Sequence, residues 1–140
     1  MKDKIVFYFN KKIFFFMPDD VYCLQGDGSY TIISVNNAEQ YRVAKNLKNF
    51  AAALPDSCSQ FLRVQRSWMV ILNHVNNVYT NANSRWFLLL NNNMEIPLSS
   101  VTVVKQILEL INPKYMNQLE TAFINLQARK AKLKNTNGAI

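Results

Sequence analysis

The run Gln60-Phe61-Leu62-Arg63-Val64-Gln65-Arg66-Ser67-Trp68-Met69-Val70 alternates apolar and polar residues and then breaks at an Arg-Ser pair. An alternation of this kind puts successive side chains on opposite faces of an extended chain, so it specifies strand rather than helix. It predicts two strands joined at a bend near Arg66, with Leu62, Val64, Trp68 and Val70 on a buried face and Arg63, Gln65 and Ser67 pointing outward. An arginine at such a corner presents a planar fork of donors that fits a guanine edge or a phosphate. The same pair also suits an ordinary solvated surface.

The rest of the first hundred residues reads mostly as strands. Ile5 to Phe9 and Ile13 to Phe16 flank a hairpin loop at Asn10-Lys11-Lys12, and Val21 to Gln25 and Tyr30 to Val35 flank Gly26-Asp27-Gly28-Ser29. Gln40 to Val43, Val75 to Thr80 and Arg85 to Leu90 follow as further strands, with asparagine-rich turns between them. Two helices are expected. One spans Lys45 to Leu54, where Leu47, Phe50, Ala51 and Leu54 share a face before Pro55; the other spans Val101 to Ile111, closed by Asn112-Pro113.

Beyond that proline, Met116, Leu119, Phe123, Leu126 and Leu133 recur at near-heptad spacing, with Lys130 at the missing core position. An amphipathic helix follows from this spacing. It suits packing on its own domain first, and after that a homodimer or a sensor partner held through residues 114–133. The domain division expected is therefore 1–111, then 112–140 as helix and basic tail.

Charge is concentrated in that tail. The chain carries a formal +7, of which residues 1–112 hold 11 basic and 8 acidic side chains and residues 113–140 hold 5 and 1. Such a balance favours a polyanion, because each cation near a phosphate releases counterions, and it also suits a solubilising tail.

Several classes of chemistry find no footing. A single histidine, His74, leaves no multi-histidine metal site, and Cys23 and Cys58 lack the spacing of metal ligands. Gly26-Asp27-Gly28 is not followed by a phosphate-cradling helix, and Asp19-Asp20 reads as a turn cap. No cofactor and no enzymatic activity are expected. At 49% hydrophobic residues the chain is too apolar for disorder. The Ile13-Phe14-Phe15-Phe16-Met17 run is too short for a membrane span or a signal peptide, so no membrane insertion, a cytoplasmic location and reduced cysteines are expected.

Four blocks in order resemble the LytTR DNA-binding domain family: Asp20 to Thr31, Ala44 to Phe50, Phe61 to Val70 and Met94 to Ser100, covering about residues 3–111. The third resembles the family's F-x-R-V-H-R-S-Y-x-V-N signature. The resemblance implies a mainly β fold, an elongated stack of small antiparallel β-sheets with short helices, followed here by a C-terminal helix. It implies a transcriptional regulator that binds double-stranded DNA by sending inter-strand loops into the grooves. Carried over by position, the first loop supplies Asp27, Ser29 and Tyr30, the second Gln65, Arg66 and Ser67, and the third Ser99, Ser100 and Lys105. Lys45 and Lys48 stand as phosphate contacts beside the second loop.

Three positions depart from the family pattern: Gln65 replaces its His, Ile71 its Asn and Ser100 its Arg. Gln65 keeps an amide able to read adenine, whereas Ser100 loses charge and reach. The base preference should thus differ from that of a typical member. The alternative is a protein-interaction module on the same fold that has lost base reading.

Overall fold

The computed structural model describes residues 4–36, 39–56 and 61–115. Ten strands and two α-helices are described, in the order β1 (Ile5–Phe9), β2 (Lys12–Phe16), β3 (Val21–Asp27), β4 (Tyr30–Val35), β5 (Gln40–Val43), α1 (Leu47–Ala52), β6 (Phe61–Gln65), β7 (Trp68–Ile71), β8 (Val75–Thr80), β9 (Trp86–Leu90), β10 (Glu95–Pro97) and α2 (Val101–Ile111). All pairings are antiparallel. They make a β1-β2 hairpin, a five-stranded sheet β5-β4-β3-β7-β6 and a three-stranded sheet β10-β9-β8. The expected mainly β stack of small antiparallel sheets is the observed architecture.

The five-stranded sheet is the middle layer, because it buries residues on both faces. One face contributes Val21, Leu24, Ile33, Val35, Val43 and Ile71 to a first core shared with the hairpin and α1. The other contributes Cys23, Val64 and Val70 to a second core shared with the three-stranded sheet and α2. Irregularities between Val21 and Cys23 on β3 let neighbouring residues serve both cores.

The β6-β7 pair follows the predicted facing, with one correction. Leu62, Val64, Trp68 and Val70 all join the second core, but the other face is open only around Arg63 to Ser67. Phe61, Met69 and Ile71 pack into the first core instead. A single alternating run reveals one buried face; burial of the other depends on a sheet distant in sequence.

In the first core Phe7 stacks on Phe14 and Phe16, with ring centroids 5.6 and 5.7 Å away, and Tyr41 lies 4.8 Å from Phe14. These aromatics hold the hairpin to the sheet through their inner face. Its turn uses Asn10 and Lys11 with φ of 50° and 64°, the left-handed pair that a two-residue hairpin of the right twist requires.

Helix α1 is shorter than the expected Lys45 to Leu54. Asn46 caps it, its side chain accepting from the Asn49 amide at 2.8 Å, so Lys45 lies outside. Helix α2 has the predicted bounds, with Ser100 as its cap. Past it, Pro113–Tyr115 forms a single 3-10 turn. Met116 to Leu133, the expected amphipathic helix, lies outside the described residues, as does Cys58. Among the described residues no helix is long and apolar enough to cross a membrane.

His74 and Cys23 have structural settings. His74 bonds through Nε2 to the Asp19 carbonyl and lies 4.1 Å from the Tyr22 ring, tying the end of β7 to the turn before β3. The Cys23 thiol is buried and donates to Met94 Sδ at 3.7 Å.

Candidate nucleic-acid interface

The first loop is a two-residue turn, Gly28-Ser29, closed by the Asp27 and Tyr30 pair. Gly28 has φ of 58°, a conformation that suits glycine and lets β3 return directly as β4. Behind it, Gly26 brings its backbone against Leu47 of α1; a Cβ there would sit 3.1 Å from the Leu47 Cβ. Asp27, Ser29 and Tyr30 are all exposed.

Asp27 and Tyr30 are joined by a residue that the linear pattern did not single out. Arg42 on β5 makes an ion pair with Asp27 at 2.8 Å and sets its guanidinium 4.4 Å over the Tyr30 ring. Both charged side chains are about half exposed (53% and 51%), so the pair contributes at most about 1 kcal/mol. Its consequence is orientation: the tyrosine is held and Asp27 is neutralised. In sequence the arginine lies in a polar stretch far from the loop it stabilises, and only the β4-β5 pairing brings it there.

The second loop is the turn Arg66-Ser67 between β6 and β7. Two hydrogen bonds fix it. The Ser67 carbonyl accepts from the Gly26 amide at 2.7 Å, linking this turn to the strand that leads into the first loop. Arg63 donates from Nη2 to the Arg66 carbonyl, so one arginine props the turn that carries another. The pairing slips at Val64, whose side chain turns into the second core and leaves Gln65 half-buried at the rim.

The third segment begins α2. Ser99 is exposed just before the helix, and the Ser100 hydroxyl accepts from the Val103 amide at 3.4 Å. The cap uses one lone pair of this hydroxyl and leaves its O–H as a donor. Lys105 is half-buried one turn further along and has an interaction within the protein.

The second and third segments meet in space. Arg63, Gln65, Arg66, Ser99 and Val103 line one shallow hollow of about 250 Å³. A larger cleft of about 540 Å³ adjoins it, where Gln65, Ser99 and Ser100 face Ser84 and Arg85 of the β8-β9 loop and Trp86 at the start of β9. That loop is shaped by the Asn81 side chain, which accepts from the amides of Asn83 and Arg85 at 3.0 Å each. Arg85 was read as a strand residue; it is exposed and lies outside β9. Arg63, Arg85 and Arg42 are therefore the cations that sequence patterning missed. Their only sequence signal is positive charge beside a turn.

Lys45 and Lys48 flank the start of α1. The Lys45 carbonyl accepts from Thr31 Oγ1 at 2.8 Å, and its side chain lines a groove of about 220 Å³ with Ile5, Phe7, Phe50 and Pro55 on the first-core side. Lys48 is exposed on α1, whose Leu47 abuts Gly26. Both lysines are therefore tied to the first loop's strands through Thr31 and Gly26, and Gly26 in turn bonds the Ser67 carbonyl of the second turn.

Comparison with known proteins gives the arrangement a context. Residues 11–112 match the model of the LytTr DNA-binding domain. Among solved structures, a LytTr DNA-binding domain from Bacillus cereus superposes with a TM-score of 0.61 at 20% identity, over 80% of this chain and 99% of that one. No curated protein matches the chain. The matched span takes in all three loops, the second core and the first core apart from the residues of β1, and on that ground this chain belongs to the LytTR DNA-binding domain family.

Proposed function

We propose that this protein binds duplex DNA at preferred sequences and regulates transcription, with its inter-strand turns entering the grooves. The observation that carries the reading is the meeting of Gln65, Arg66 and Ser99 on one hollow, although 33 residues separate Arg66 from Ser99. In this reading Arg66 offers its fork to a guanine edge, and the Gln65 amide offers a donor and an acceptor to an adenine. Ser67, Ser99, the free amides at the start of α2, Arg85 and Lys105 contact the flanking backbone. Ser29 and Tyr30 of the first loop, with Lys45 and Lys48 behind it, engage phosphates further along the duplex. Ser100 acts as a helix cap that positions Ser99.

The alternative of an interaction module without base reading drew on Ile71 and Ser100. Ile71 is 1% exposed and packs in the first core, so that position is a packing position in this chain and says nothing against base reading. Selection from random duplexes at low salt tests the proposal. Enrichment of a short motif, reduced to unselected background by Gln65→Ala with Arg66→Ala, is the expected result; no enrichment leaves the interaction module as the better account.

A further inference from the structure

The β1-β2 hairpin buries only its inner face. On its outer face Val6, Tyr8, Ile13 and Phe15 are 53%, 63%, 60% and 62% exposed, and the register places Val6 opposite Phe15 and Tyr8 opposite Ile13. Four large side chains therefore form one contiguous apolar surface, of the kind that marks a docking site rather than ordinary exposure. Its borders are basic. Lys4 stands at one end and Lys11 and Lys12 at the turn, all exposed, and residues 4–17 contain no acid. The central sheet separates this face from α2 and the Gln65 cleft, so an occupant here leaves that cleft open.

We infer that the occupant is segment 116–126 of a second copy of this chain, because the central sheet separates the end of α2, after which the segment begins, from the hairpin of the same chain. This segment begins one residue past the last described one, and its Met116, Leu119, Phe123 and Leu126 recur at a spacing that gathers them on one side of a helix. It is the complement of the hairpin in charge as well as in character: residues 116–126 carry Glu120 and no cation, whereas the hairpin carries three lysines and no acid. The basic residues Arg129, Lys130, Lys132 and Lys134 follow the segment in sequence. Leu110 and Ile111, exposed at the end of α2, offer only two side chains, too few to cover the stripe. The hairpin offers four on one face.

A photo-crosslinking amino acid placed at Phe15 of the full chain tests this, because that exposed side chain can be replaced without disturbing either core. Trypsin releases the segment within one peptide, Tyr115 to Arg129. The expected result is an adduct to that peptide between two copies, seen as a crosslinked dimer; the same adduct within a single chain overturns the inference. Phe123→Asp should abolish the adduct. Lys11→Glu should lower its yield about two- to fivefold, and Glu120→Lys in the same chain should restore it, as an exposed ion pair requires. Adducts to any other peptide, to a second hairpin or to none overturn the inference, as does a yield indifferent to Phe123→Asp. Because DNA is absent from the assay, its outcome is independent of the proposed function.

Discussion

Arg63 reaches across its own turn and donates from Nη2 to the main-chain carbonyl of Arg66. Two arginines three residues apart thus have unequal tasks, since one shapes the turn and the other is left to project from it. Both are exposed, and only the hydrogen bond distinguishes them.

Arg66 should carry the larger loss in DNA binding. If its fork meets a base, Arg66→Ala costs about 1–3 kcal/mol at the preferred site and flattens discrimination at one base pair. Arg66→Lys recovers only part of this, because an ammonium cannot form the fork. Binding isotherms on the selected site and on single-base variants check it, and an equal loss on every sequence would make Arg66 a phosphate clamp instead.

Arg63→Ala should loosen the turn at a cost of about 0.5–1.5 kcal/mol in DNA affinity, the usual net worth of one hydrogen bond. Base preference should stay in place. A change of preferred base in that variant would mean that Arg63 itself reads the sequence.

Ser100 separates capping from base contact. Ser100→Ala should lower folding stability by about 1 kcal/mol, and Ser100→Gly by only a few tenths. Denaturant melts of the two variants measure this. If both leave stability untouched while DNA affinity falls, Ser100 is a contact residue and the capping role is wrong.

Much of this was legible in the residues, and the failures have physical causes. Helix α2 has the expected bounds, its end marked by Asn112-Pro113, while the capping signal of Ser100 at its start was read only as a DNA contact. Helix α1 was overextended at Lys45 because Asn46 competes for the first turn with its own side chain, which apolar spacing does not report. The β6-β7 turn and Arg66 were visible from alternation alone. The partnership of Arg42 with Asp27 and Tyr30 was not, since it joins side chains that only the β4-β5 pairing brings together. Ile71 likewise looked like a lost polar reader until the first core was seen to close over it.

Stability should respond to alkaline pH through Cys23. Burial pushes its thiol from an ordinary 9.0 up to about 11, against a smaller opposing effect of the hydrogen bond with Ser34. The folded state holds the proton more tightly than the unfolded one, so this stabilisation is complete below pH 9.0 and is lost as pH rises toward about 11. Between those limits wild type should lose on the order of 2–3 kcal/mol more than Cys23→Ala. Urea melts across that range check the sign; parallel curves for the two proteins would mean that the thiol ionises as freely in the fold as outside it.

The central claim, binding to duplex DNA through a limited set of phosphate contacts, is tested most directly by affinity for the selected duplex as a function of salt. Residues 1–112 carry a net charge of only +3, from 11 basic and 8 acidic side chains, so few contacts are expected. With about four to six phosphates neutralised, log affinity should fall against log salt with a slope of about −3.6 to −5.4. A slope indistinguishable from zero would contradict the account.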